Sequence, residues 1–354
     1  MKPAARTVIS GWSAISPFGL VGADFAAGLR DGQRHGEGPR HVPDFEVREV
    51  LGRKGTRSLD RQTALAVATA GQLLAGQDGG RIDGVGPESG LVLGTVTASA
   101  LSMMDFARDT FTQDKPYHVD PARFPNTVLN CAAARCAIWH ELRGPNTTVS
   151  AGRASGLAAL NYARRLRRSG RADVILCGAV EELSQARSWL ESGAEPLGEG
   201  CAMVLVEPLG RPSAHGRAEL AEVLALEFGL HSEPSGVRSA LGACLRRAFA
   251  TADETPDRVW AVASSGGPDP FGKGEDAAIA DVIGDRAPVR LRSSELVGDT
   301  NGASAAFALV AVVAKAAETP QARGHTAVVT SVDRDGVVGC ALLRLGSHTA
   351  ADVT

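Results

Sequence analysis

The sequence predicts an α/β protein in which helices cover a sheet, on three observations. Short β-branched or aliphatic runs recur along the whole length. Ala/Leu-rich stretches with apolar residues three or four apart lie between them, which is helical spacing. The chain has 354 residues, 44% hydrophobic and 22% charged, enough for a large apolar core.

In order, strands are expected at Thr7-Val-Ile-Ser, Leu91-Val-Leu, Val174-Ile-Leu, Ala202-Met-Val-Leu-Val, Val259-Trp-Ala-Val, Ala327-Val-Val-Thr and Cys340-Ala-Leu-Leu. Helices are expected over 64–74, 157–166 and 237–249, the last with Val237, Leu241, Leu245 and Phe249 in one i, i+4 stripe. The apolar stretch 302–314 is too short to span a bilayer and is followed by Lys315, so it reads as a buried helix. The Pro- and Gly-rich segment 207–217 is the natural joint, dividing the chain into 1–210 and 211–354. No short-period repeat is visible.

The net charge of −3 argues against a general nucleic-acid binder. Six scattered cysteines (Cys131, Cys136, Cys177, Cys201, Cys244, Cys340) form no CxxC pair, so neither a zinc site nor a disulfide framework is expected. The first residues lack the apolar stretch of a signal peptide, and a cytoplasmic location is the expectation. The arginines at 164, 165, 167, 168 and 171 suit a solvated helix C-terminus, or could steer an acidic partner.

One stretch bears directly on chemistry: Gly144-Pro-Asn-Thr-Thr-Val-Ser-Ala-Gly-Arg-Ala-Ser-Gly156. It resembles the Gly-Pro-Asn-x-Thr-Val-Ser-x-Ala-Cys-x-Ser-Gly segment of β-ketoacyl synthases, with Arg153 at the nucleophilic cysteine. Four further pieces resemble the family in the right order: Arg6-Thr-Val-Ile-Ser-Gly-Trp-Ser-Ala-Ile-Ser-Pro-Phe-Gly19, His118-Val-Asp-Pro-Ala-Arg-Phe-Pro-Asn-Thr-Val-Leu-Asn130, Gly198-Glu-Gly-Cys-Ala-Met-Val-Leu-Val-Glu207 and Gly302-Ala-Ser-Ala305. The resemblance implies a thiolase-like fold, two similar βαβα halves in five αβαβα layers, which together make one unit and usually dimerise.

By that resemblance the chemistry is missing. A guanidinium keeps its protons at ordinary pH and cannot attack a thioester. Counting from Glu275, Ser264 falls on the family's first histidine. Asp299 falls on the second, Ser294 on the lysine before it, and Arg334 on the gating phenylalanine. The cysteine and second histidine lie close together in the family, so Arg153 is expected to pair with Asp299, whose carboxylate suits the planar guanidinium.

Within the family the chain looks most like a chain length factor, the catalytically silent partner of an active ketosynthase in type II polyketide systems. Known members usually carry glutamine where the enzyme has cysteine, so arginine is a departure. The role implied is a heterodimer in which this subunit closes the tunnel that receives the partner's growing polyketide or polyene chain. On a helix expected over 98–110, Leu101, Met104 and Arg108 take the gating positions on one face, with Thr97 a lesser candidate. A one-residue shift would put Ser102, Asp105 and Asp109 there instead. No metal or cofactor of its own is implied, the phosphopantetheine of an acyl carrier protein reaching the partner. The alternatives are a rewired acyltransferase or condensing enzyme using Ser150, Ser155, Ser264 or Ser294 with His118 or His140 as base, or a homodimeric acyl-binding protein.

Overall fold

The computed structural model describes residues 6–32, 38–76, 78–191, 195–284, 287 and 289–346. The first part runs β1 (Thr7–Ile15), α1 (Gly22–Asp31), α2 (Val47–Leu51), α3 (Arg61–Leu74), β2 (Gly90–Gly94), α4 (Ala100–Thr112), α5 (Cys131–Trp139), β3 (Asn146–Val149), α6 (Ser155–Arg168), β4 (Ile175–Glu181), α7 (Gln185–Leu190) and β5 (Gly200–Pro208). A single turn, α8 (Arg211–Ala214), leads to β6 (Ala221–Leu230), α9 (Val237–Ala252), β7 (Val259–Ser264), α10 (Pro270–Val282), β8 (Val289–Arg292), α11 (Ser293–Val297), α12 (Ser304–Ala317), β9 (Thr326–Val332) and β10 (Val337–Leu345).

The strand order β3-β2-β4-β5-β1-β6-β10-β9-β7-β8 reads the same way outward from its centre in both directions. Each half pairs its first strand antiparallel with its last, and its second strand parallel with its third and fourth. The halves meet at a short seam, Val8 opposite Glu222 and Ile9 opposite Ala221. The chain is therefore a structural duplication.

Alternation along single strands sets the layers, because successive side chains leave a strand on opposite faces. On β4, Ile175, Cys177 and Ala179 join a central core, while Leu176 and Val180 join an outer one with Leu65 and Val67 of α3 and Cys136 of α5. On β9, Ala327 and Val329 face the centre and Val328 faces α9 and α10. The central core holds α6 and α12, and α12 touches β1 and β5 on one side and β7 and β9 on the other. These contacts give five layers: α3 and α5, a sheet, α6 and α12, the second sheet, α9 and α10.

α12 is buried from Ser304 through Ala314, which explains its nearly unbroken apolar sequence. It meets α6 so closely that a Cβ at Gly156 would fall on the Ala306 backbone nitrogen. No helix among the described residues is long and apolar enough to cross a membrane. All six cysteines are free and buried.

Two local expectations change. The helix expected over 98–110 begins at Ala100, because Ala98 is left-handed at φ +50° and Ser99 caps the helix by accepting from the Ser102 N–H. Arg167 is not part of a solvated patch. It is buried, donating to Thr7 Oγ1 and the Arg6 carbonyl at 2.7 and 2.8 Å.

Candidate functional site

Position 153 sits on an elbow between β3 and α6. Ser155 Oγ closes the turn, accepting from the Ala151 N–H at 2.9 Å and donating to the Gly152 carbonyl at 2.6 Å. Gly152 has φ +56°, and a Cβ there would land on the Asp333 carboxyl group, so both conformation and space demand glycine. The elbow turns Arg153 inward, leaving it 5% exposed.

The guanidinium meets Asp299, which the loop between α11 and α12 carries: Nη2 donates to Oδ2 in a buried ion pair. Glu195 lies 3.6 Å from the same nitrogen. Arg334 stands 3.9 Å from Asp299 and donates to Asp269 at 3.3 Å. Burial opposes charge on Arg153, but Asp299 and Glu195 outweigh it and hold its pKa above the ordinary value. Burial likewise pushes the Asp299 carboxyl up, yet Arg153, the Asn301 N–H at 3.0 Å and Arg187 hold it below the ordinary range. The cluster of two guanidiniums and three carboxylates thus has an excess acid. Glu195 is the member driven toward neutrality, by burial and by Asp299 and Asp269, against Ser294 and Arg153.

The backbone at this position is also engaged. The Arg153 N–H donates to Asp333 Oδ1 at 2.9 Å, and the Asp335 N–H donates to Oδ2 at 2.9 Å. Acyl-transfer enzymes aim the nucleophile's own N–H at the oxyanion that develops during attack. Here a carboxylate already holds that donor and would repel a second negative oxygen. At position 153 the side chain is thus no nucleophile and the N–H is already taken.

Of the positions read from sequence, the fold brings Arg153, Asp299 and Arg334 together, with Ser294 reaching the cluster through Glu195. Ser264 departs. It lines a separate cavity of about 310 Å³ with Asp276, Ile279 and Arg292, because strand alternation on β7 turns it to the face of Val262. Its loop instead delivers Asp269. Glu195, Asp269 and Asp333 were missed by sequence reasoning. Asp333 stood beside Arg334 in Asp-Arg-Asp-Gly, and a search for acids near a buried arginine would have raised it.

The bases proposed for a rewired enzyme are elsewhere. His140 Nε2 contacts the Val67 carbonyl at 2.8 Å, with burial lowering its pKa, and His118 packs edge-to-face with Tyr117. Ser155 is spent on the turn. Among the described residues no cluster of His, Cys, Asp and Glu could hold a metal. Burial pushes the Cys136, Cys177 and Cys340 thiols well up, and Cys201 to about 12, so none is a ready thiolate.

The gate candidates lie on an uncovered surface. Leu101 is 44% and Met104 36% exposed, so neither is core in the isolated chain. Arg108 faces solvent and pairs with Asp105 of its own helix at 3.0 Å. Thr97 sits in the loop before α4, its hydroxyl donating to Glu181 at 2.6 Å. Met103, Phe111, Tyr117, Phe124, Val128 and Leu129 extend the exposed apolar surface. α7, which packs beside α4, adds Trp189 and Leu190.

Comparison with known proteins agrees with this fold. The family described as "Beta-ketoacyl synthase, N-terminal domain" matches residues 29–194. A chain of "The ishigamide ketosynthase/chain length factor" superposes with TM-score 0.89 and 40% identity, over 96% of this chain and 99% of that one. A 3-oxoacyl acyl-carrier-protein synthase 2 of Coxiella burnetii is 25% identical over 86% of this chain and 84% of its own length. One chain of a type II polyketide acyl-carrier protein complex with its ketosynthase shares the fold at 19% identity and TM-score 0.74, over 97% of this chain and all of that one. The chain belongs to the β-ketoacyl synthase superfamily. Within it, its similarity to a member of a ketosynthase/chain length factor pair extends over nearly its full length.

Proposed function

We propose that this chain is a catalytically silent chain length factor: it pairs with an active ketosynthase and sets the length of the polyketide or polyene chain the partner builds. One observation carries the silent half of the reading. At position 153 the side chain is committed to Asp299 and the backbone N–H to Asp333, so an acyl thioester finds neither attack nor oxyanion stabilisation. The pairing half is supported by the apolar surface of α4 and its neighbours, and by a relative whose name joins a ketosynthase to a chain length factor. In that pairing the partner's acyl chain grows toward the shared interface and stops where side chains of α4 block it, because overfilling a packed cavity is unfavourable. The carrier protein's phosphopantetheine enters through the partner, and this chain needs no cofactor of its own.

The test is co-expression with the candidate ketosynthase, with a tag on this chain only, followed by assay with malonyl-loaded carrier protein. The expected result is a one-to-one complex whose elongation disappears when the partner's cysteine is replaced. A stable homodimer turning over acyl thioesters alone would instead establish a rewired enzyme, and one that only binds them an acyl-binding protein.

A further inference from the structure

Among the described residues Arg187 is the largest fully buried side chain, at 0% exposure, and lies on α7 outside the ion cluster. All five of its N–H groups are used. Nε and Nη2 donate to the Glu191 carboxylate at 3.1 Å each, Nη1 to the carbonyls of Glu182 and Gly198 at 2.9 and 2.7 Å, and Nη2 also to the Asp299 carbonyl at 2.8 Å. Glu191 in turn accepts from Asn301 Nδ2 at 2.7 Å. One guanidinium therefore joins the end of β4, the start of β5 and the loop that carries Asp299.

From Glu182 the connection continues to α4. The Glu182 carboxylate, 2% exposed, accepts from the Leu101 N–H at 3.3 Å and from Ser99 Oγ at 3.3 Å. Its neighbour Glu181 takes the Val96 N–H and the hydroxyls of Thr95 and Thr97. The helix otherwise has few anchors, Ala100 being its only buried residue.

We infer that Arg187 and Glu182 are positioning residues for chain length: together they lock the start of α4, and with it Leu101 and Met104, in one register relative to the filled pocket at Asp299. The inference rests on the chain-length reading above. The occupied pocket then has a mechanical role beyond silence. Asp299 keeps its loop in place for Arg187, Arg187 fixes the β4 end, and Glu182 fixes the first turn of the gate helix. A helix held by backbone-directed bonds stops a growing chain at one depth, whereas a loosened one stops it at several.

The test uses the complex with the ketosynthase and malonyl-loaded carrier protein, comparing Glu182→Ala, Glu182→Gln, Arg187→Met and Leu101→Trp. Product lengths are read by mass spectrometry, and hydrogen exchange of residues 96–104 is read on the same complexes. Glu182→Ala and Arg187→Met are expected to spread products over at least one further two-carbon unit. They should also speed exchange at Leu101 and Ser102 about tenfold, the effect of losing one hydrogen bond to a charged group. Glu182→Gln keeps an acceptor oxygen and is expected to retain the native product length. Should Arg187→Met fail to assemble, Glu182→Ala decides, since it removes the contact to α4 and keeps the Glu182 carbonyl that Arg187 binds. If Leu101→Trp shortens the product while Glu182→Ala leaves both length and exchange unchanged, the positioning role is overturned and the gate stands. If Leu101→Trp also changes nothing, the gate reading itself fails.

Discussion

Replacing Arg153 by methionine separates the charge of this side chain from its bulk. In the native protein the guanidinium is 6% and the Asp299 side chain 4% exposed, so the pair is effectively desolvated. Methionine fills much of the volume but leaves a buried carboxylate with the Asn301 N–H and, 3.9 Å away, Arg334. Stranding one member of a buried pair costs 3–5 kcal/mol, and those remaining partners bring the expectation to about 3 kcal/mol. The sign with pH follows from the depressed Asp299 carboxyl. Its stabilisation is present above the ordinary carboxylate pKa and is lost as pH falls through the lower folded value. Removing Arg153 raises that carboxyl, so the deficit of the variant should be full at pH 7.5 and shrink toward pH 4. Adding Asp299→Asn, which keeps an acceptor for Asn301, should recover all but about 1 kcal/mol at pH 7.5. Pulse proteolysis of the complex in urea, with this chain resolved from its partner on a gel, measures each case. An Arg153→Met deficit below about 1 kcal/mol, or one that Asp299→Asn deepens, would refute the account of the pair.

Arg153→Cys should not restore condensation, because Asp333 still holds the residue 153 N–H and neither histidine position is filled; malonyl-carrier turnover by complexes lacking the partner's cysteine is the check. Burial and the nearby Asp60 push the Glu182 carboxyl from its ordinary 4.5 up to about 7, with Glu181 adding to the push and Arg61 also within its field. A raised carboxyl stabilises below 4.5 and loses that contribution as pH climbs through 7, so Glu182→Gln should gain about 3 kcal/mol over the native protein at pH 8 and nothing at pH 4, read by the same proteolysis. Met103→Glu, on the exposed side of α4, should weaken association with the ketosynthase at least about tenfold in a titration, because burying a methionine contributes about 1.5 kcal/mol or more.

The seven strands read from sequence are those whose branched residues lie at the middle of a sheet. β6 escaped because Ala-Glu-Val-Leu-Ala-Leu-Glu is made of good helix formers, and its extended state comes from pairing with both β1 and β10. β3 and β8 are four-residue edge strands, Asn-Thr-Thr-Val and Val-Arg-Leu-Arg, too short and polar to announce themselves. The duplication was legible only through the family resemblance, which implied two similar halves; no local spacing announces the shared strand order. At the site, Arg153 and Asp299 were legible because each stands in a recognisable frame. Glu195, Asp269 and Asp333 were not, since they converge from three separate loops and no local spacing brings them together. Ser264 was placed in the pocket by counting residues. Counting gives position along β7 but not which face a side chain leaves.

The ion cluster also constrains how this lineage could change. Exchanging Arg153 alone for cysteine would leave Asp299 and Glu195 in the interior with too little positive charge nearby, and each further change at the site would begin from that less stable state. The cluster works as a ratchet: its members are held in place by one another, and exchanging either member of the Arg153–Asp299 pair alone leaves a protein that folds worse than exchanging both.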